Sequence, residues 1–211
     1  MGIDGLASNC ATHASGAVVA HGGWQHAYDS LLSELQQGPA CVLLLGSPGT
    51  GKTLLLRELA RNLRRRGRGV EFLLCGDLPI GSAEAADRIL LVDEAARMDR
   101  ALLARLADRP PCPLVLAGLP ELDSAVEAQP ARIQLQTLSQ DEARQFVIEW
   151  LMQAGKSPRL TIPAIERLLL HAAGVPRVLV QLLKAALFMA TDDASLITPR
   201  DIDEVAAFRG A

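Results

Sequence analysis

The segment Gly46-Ser47-Pro48-Gly49-Thr50-Gly51-Lys52-Thr53 lies between the apolar run Val42 to Leu45 and a stretch, Leu54 to Leu63, with apolar residues at helical spacing. Its glycines let consecutive backbone N–H groups turn inward around an anion. Lys52 brings a mobile charge suited to β and γ phosphates, and Thr53 offers a hydroxyl to Mg²⁺. The helix that opens near Leu54 turns its positive end to the same place. A Gly-rich turn with a stray lysine would carry no such context. The segment therefore reads as a P-loop, with Gly46 through Leu54 as the phosphate-binding stretch.

A second element completes that reading. Arg88-Ile89-Leu90-Leu91-Val92-Asp93-Glu94 is a short apolar run ending in two carboxylates, the form a central strand takes when it delivers acids beside a P-loop. Asp93 is then expected to hold Mg²⁺ through water, and Glu94 to orient an attacking water. A plain acidic helix start would also suit Glu94, because the helix dipole favours a carboxylate there. Two arginines stand out. Arg177, in Gly174-Val175-Pro176-Arg177, opens a helix where the dipole disfavours a cation, which points to a phosphate. Arg132 follows Gln129-Pro130-Ala131 and opens the last strand, from which it is suited to act on a neighbouring subunit's phosphate.

Around these motifs the chain alternates strand and helix. Residues 1 to 20 are small and polar without a sustained period and read as a poorly ordered lead-in. His21 to Leu35 is helical by its stripe of Ala27, Leu31, Leu32 and Leu35, and the Gly38-Pro39 breaker ends it. Strands are expected at Cys41 to Leu45, Val70 to Cys75, Ile89 to Val92, Leu114 to Ala117 and Ile133 to Leu135. This alternation gives an α/β class, a parallel sheet between helical layers in an αβα core over residues 21–137. Between Cys75 and Ile89 only GDLPIGSAEAADR is available, too little for a full crossover helix and a pore loop. After Thr137 four helical segments follow, near 139–154, 162–173, 176–190 and 199–208, so residues 138–211 form a small helical subdomain.

Composition adds bounds. The 211 residues are 49% apolar, enough for a sizeable interior without covalent staples. Cys10, Cys41, Cys75 and Cys112 are far apart in sequence with no zinc spacing, and read as free thiols in a reducing compartment. With no signal-like leader and no long uninterrupted apolar segment, the expected location is cytoplasmic, without a membrane span. The formal charge of −3 gives no global attraction to nucleic acid. Arg61, Arg64, Arg65, Arg66 and Arg68 form a local basic run, which the C-terminus of a helix accounts for; a nucleic-acid surface there is the less favoured reading.

Taken in order, GSPGTGKT, ILLVDEA, PLVLAGLPEL, PARIQLQTLSQDEA and AGVPRVL resemble the AAA+ ATPases of the ExeA/GspA secretion type, with DamX-like and TniB/TnsC-like relatives. The likeness runs from about His21 to the C-terminus, and the LxxLAGxPEL and GxPR portions are its most specific parts. It implies a P-loop NTPase core of AAA+ type with a helical lid, using ATP and Mg²⁺. It also implies Lys52 and Thr53 as Walker A, Asp93 and Glu94 as Walker B, Arg132 as arginine finger and Arg177 as sensor 2. Trp24, His26 and Tyr28 precede the core where such proteins often wrap the adenine. Relatives usually carry a polar sensor 1 before Pro-Glu-Leu, whereas this chain has Leu119, which implies weak hydrolysis. The expectation is an ATP hydrolase whose nucleotide controls homo-oligomer assembly or contact with a protein partner. The competing expectation is a nucleotide-gated adaptor with little or no hydrolysis. A small P-loop kinase fits the length but not the helical C-terminal third.

Overall fold

The computed structural model describes residues 21–37, 40–75, 88–154, 160–190 and 196–210. The lead-in, the Gly38-Pro39 breaker, Cys10 and the connection over residues 76–87 lie outside the described residues. Two compact units are present: Gly23–Gln136, and a second formed by residues from Thr137 onward.

The first unit is built on five parallel strands, β1 (Cys41–Leu45), β2 (Gly69–Leu74), β3 (Arg88–Asp93), β4 (Leu114–Gly118) and β5 (Ala131–Gln134), in the order β2-β3-β4-β1-β5. The two strands at the centre of the apolar interior, CVLLL and LVLAG, are buried at every position. A strand covered on both faces by helices cannot afford alternation with polar side chains, and these two show none. β2 and β5 are the edges, and apart from buried Leu73 their side chains are at most partly covered. One face of the sheet buries Cys41, Leu43, Leu45, Val92, Leu114 and Leu116 against Leu103 and Ala107 of α3 (Arg100–Asp108). Val42 and Leu44 take the opposite face by the two-residue period of a strand. The flanking helices α1 (Gly22–Gln36) and α2 (Lys52–Arg65) bury Leu31 and Leu35, and Leu55, Leu56, Leu59 and Leu63.

The second unit is a bundle of α4 (Gln140–Gln153), α5 (Ile162–Ala172), α6 (Pro176–Met189) and α7 (Pro199–Gly210). Its start signals are realised in atoms. Ser139 and Glu142 form a reciprocal capping box at α4, and the Thr161 hydroxyl accepts from the Ala164 N–H at α5. Phe146, Val147, Trp150, Leu168, Leu179, Leu183 and Ile202 make a common core, so these apolar faces are packing surfaces. Ahead of α6, Gly174 sits at φ 71°, and a Cβ there would stand 2.2 Å from the Leu138 carbonyl oxygen. Only glycine fits that approach, which lets the Leu138 N–H donate to the Gly174 carbonyl at 2.8 Å and fixes the turn that carries Arg177.

Candidate nucleotide site

β1 runs directly into the loop and α2 begins at Lys52, so Lys52 and Thr53 are the first two residues of the helix rather than the end of the loop. The helix N-terminus and the backbone N–H groups of the loop therefore point into the same space. The chain passes through left-handed conformations at Gly49 and Gly51, with φ of 84° and 106°. Thr50 is 1% exposed, and its hydroxyl donates to the Ser47 carbonyl at 2.9 Å, bracing the loop from within. Lys52 Nζ donates to the Gly46 and Ser47 carbonyls at 2.6 and 3.0 Å, which holds the ammonium inside the loop.

Gly46 is the tightest point. A Cβ there would meet the Leu135 carbonyl oxygen at 2.6 Å and the Thr50 Oγ1 at 3.0 Å. Backbone carbonyls do not rotate away, so a methyl group must push the loop off β5 or displace the Thr50 brace. Gly46→Ala is expected to lower stability by about 1–3 kcal/mol, the range for overpacking, and to weaken nucleotide binding at least about tenfold because loop geometry is lost. Thermal melting and nucleotide titration check this; a melting temperature and affinity equal to wild type would contradict the close packing.

β3 ends beside this loop. Asp93 is 4% exposed, and both of its oxygens are engaged: Oδ2 accepts from the Thr53 hydroxyl at 2.6 Å and Oδ1 from the Glu94 N–H at 2.9 Å. Thr53 and Asp93, forty residues apart in sequence, are thereby joined. A buried carboxylate so held needs its partners, because an unsatisfied one would cost several kcal/mol. The donor set suits Mg²⁺, which takes one hydroxyl and one carboxylate from a protein and draws the rest of its octahedron from water and phosphate oxygens. Among the described residues no cage of three or more His, Cys, Asp or Glu side chains gathers. Thr53 and Asp93 are thus the residues that would hold the ion.

Glu94 is exposed and sits at φ 55°, ψ 34°, an uncommon place for a residue with a long side chain. Such a conformation costs of order 1 kcal/mol and persists only where the surroundings impose it. Here the short turn Ala95–Arg97 begins immediately, and Arg97 bonds the Glu94 carboxylate at 2.8 Å. Both groups are more than half exposed, so that pair is worth at most about 1 kcal/mol and opens easily. Arg97 does not emerge from the sequence reading, although its position three residues after Glu94 is the available signal.

Arg132 lies on the edge strand β5, in register with Leu43. Its guanidinium bonds the Asp123 carboxylate and, at 3.1 Å, the Pro130 carbonyl. Both partners in the ion pair are partly exposed. Asp123 as the holder of Arg132 is a second residue that only the folded chain reveals. Leu119 follows β4 directly and is 39% exposed. Arg177 is exposed at the second position of α6, in the helical unit. Trp24 and Tyr28 are buried and stack on each other with centroids 5.5 Å apart, whereas His26 is exposed. Trp24 is also beside the P-loop: its ring carbon would lie 3.7 Å from a Cβ on Gly51. Cys41 and Cys112 are buried free thiols and Cys75 is half-buried; burial pushes the Cys41 thiol up to about 11, which leaves it inert at neutral pH.

A family model for the AAA ATPase domain matches residues 26–195, most of the chain. The chain belongs to the AAA ATPase domain family. Similar folds are found in RuvB of Thermotoga maritima, with TM-score 0.61 and 19% identity over 87% of this chain and 68% of that one. The AMPPCP-bound DnaA of Aquifex aeolicus gives TM-score 0.62 and 17% identity over 88% and 68%. Drosophila ORC bound to DNA gives TM-score 0.62 and 19% identity over 89% of this chain and 60% of its own. No curated protein sequence matches. The AAA domain thus has the P-loop αβα core with a parallel sheet and a helical C-terminal part, the fold that RuvB, DnaA and ORC share. No helix among the described residues is long and apolar enough to cross a membrane.

Proposed function

We propose that this AAA domain hydrolyses ATP to ADP and phosphate in an assembly of its own copies, with nucleotide controlling assembly or contact with a protein partner. The observation that carries the reading is the Thr53–Asp93 hydrogen bond at 2.6 Å, which joins the P-loop helix to the acidic end of β3. Bound Mg²⁺ supplies neutralisation of the charge developing on the β and γ phosphates. The P-loop N–H groups and Lys52 hold the phosphates, and Thr53 and Asp93 orient the ion's side of the site. Glu94, once released from Arg97, accepts the proton of the attacking water.

Arg132 is assigned to a neighbouring copy's phosphate. Its place on an edge strand supports this, and so does its partner: an exposed pair with Asp123 is worth under about 1 kcal/mol and does not hold the arginine back. Arg177 is assigned to nucleotide response, because an exposed cation in the first turn of α6 gains nothing from the helix dipole. The ordered motifs favour the ExeA/GspA branch, with a secretion or transposition accessory role. Leu119 favours a second reading, a nucleotide-gated adaptor, since an apolar side chain after β4 offers no hydrogen bond to water or phosphate.

Mixing Arg132→Ala protein with Lys52→Ala protein tests the shared site. Some interfaces in the mixture pair an intact P-loop with an intact Arg132, so ATP turnover is expected to recover to roughly a quarter of wild type by random pairing, while neither variant alone exceeds a few per cent. Absence of recovery at concentrations where wild type assembles would contradict action across a subunit boundary.

A further inference from the structure

We infer that the groove between α2 and the edge strand β2 binds single-stranded nucleic acid, its arginines on the phosphates and Phe72 under a base. Arg57, Ala60, Arg61, Arg64, Arg65 and Phe72 line this open groove of about 640 Å³. Between residues 57 and 68 there are six arginines and a single carboxylate, Glu58, in a chain that is acidic as a whole. The helix dipole accounts for Arg64 and Arg65, which fall in the last turn. It does not account for Arg61 and Arg57, one and two turns earlier. Arg57, Arg61 and Arg65 recur every four residues and so share one face, spaced about 6 Å apart along the axis. That repeat presents a row of cations at the scale on which phosphates follow one another in an extended strand.

The row is held open to solvent. Arg57, Arg61, Arg64 and Arg65 are all exposed while Leu55, Leu56, Leu59 and Leu63 on the other side of α2 fill the core. Arg64 is positioned by its Nε and one terminal nitrogen, which donate to the Val70 carbonyl of β2 at 3.3 and 3.0 Å. Arg61 is paired with Glu58, an exposed bond that a phosphate can replace. The charge alone would suit an acidic peptide equally well. Phe72 decides between them: a half-buried aromatic among the residues of an arginine-lined groove is suited to stack on a base, and backbone cations with an aromatic platform are the two components of sequence-tolerant single-strand binding.

Fluorescence anisotropy of end-labelled oligothymidylate, about ten nucleotides long to cover one site, tests this on the full chain. Wild type is expected to bind with a log-affinity slope of about −2 against log salt, the value for three phosphates on a single strand. Arg57→Ala/Arg61→Ala should weaken binding at least about tenfold and flatten the slope to near −1. Phe72→Leu should weaken it about fivefold or more with the slope unchanged, because stacking releases no counterions. Arg66→Ala/Arg68→Ala, from the same basic run but outside the groove, should change affinity less than threefold. Circular dichroism and melting confirm that each variant is folded. No binding at low salt, equal losses from the Arg66/Arg68 pair, an unaffected Phe72→Leu variant, or displacement by polyglutamate as readily as by unlabelled oligothymidylate would each overturn the inference.

Discussion

Lys52→Ala protein is expected to bind ATP at least about tenfold more weakly than wild type, with its fold retained. The lysine brings a full charge into a loop that otherwise contributes only backbone dipoles, and hydrogen bonds to charged groups are worth about 1.5–3 kcal/mol, or about ten- to 150-fold in affinity. Its loss costs the fold little. The ammonium contacts the Gly46 and Ser47 carbonyls in a partly exposed setting, and the loop keeps its internal brace, the buried Thr50 hydroxyl on the Ser47 carbonyl. Melting should therefore stay within the few degrees that about 0.5 kcal/mol represents in a chain of this size. Calorimetric titration with ATP and Mg²⁺ measures the first quantity, and affinity within threefold of wild type would refute the role given to Lys52.

Glu94→Gln should separate binding from chemistry. The amide keeps the size of the side chain but cannot take a proton from water, so turnover is expected to fall by about 100-fold or more while ATP affinity stays within threefold. The substitution also removes the ion pair with Arg97, but that pair is exposed and worth at most about 1 kcal/mol, too little to explain a rate loss of this size. Arg97→Ala supplies the internal control: it breaks the same pair while leaving the carboxylate, and turnover should remain within a few-fold of wild type. Turnover by Glu94→Gln equal to wild type would remove Glu94 from the chemistry.

How far the sequence could be read depended on whether an element is specified by its own residues or by its neighbours. β1 and β4 are apolar at almost every position because both faces are covered, and their bounds emerge from sequence within a residue. β5 differs: it spans Ala131–Gln134, starting two residues and ending one residue before the expected Ile133 to Leu135, because pairing with β1 begins at Val42↔Ala131 and exposed Arg132 and Gln134 hide that from a hydrophobicity pattern. α2 opens at Lys52, not Leu54, since the helix takes up the last two residues of the motif. α3 receives no bounds from sequence. Only Leu103 and Ala107 are buried in it, too thin a stripe, although the Asp99 cap that starts it is visible in atoms, accepting from Ala101 and Leu102 N–H groups at 3.0 and 3.1 Å.

The same division holds in the site. Lys52 and Thr53, which lie within one local motif, are legible, as is the strand that ends in Asp93 ahead of Glu94. Their joining, with the Thr53 hydroxyl on Asp93, depends on β1 and β3 flanking β4 in the sheet, which no single segment specifies. The αL backbone at Glu94, the Arg97 pair and the hold of Asp123 on Arg132 likewise need the folded chain. Trp24 is the converse case. The sequence places it only with His26 and Tyr28 ahead of the core, whereas the fold seals it beside Gly51 and against Tyr28.

ATP turnover measured against protein concentration with Mg²⁺ present tests the central claim most directly. A site completed by Arg132 of a neighbouring copy requires turnover per subunit to rise with concentration and to level off once assembly is complete. Turnover per subunit that is constant across the range, or tight ATP binding with no turnover at any concentration, would contradict it.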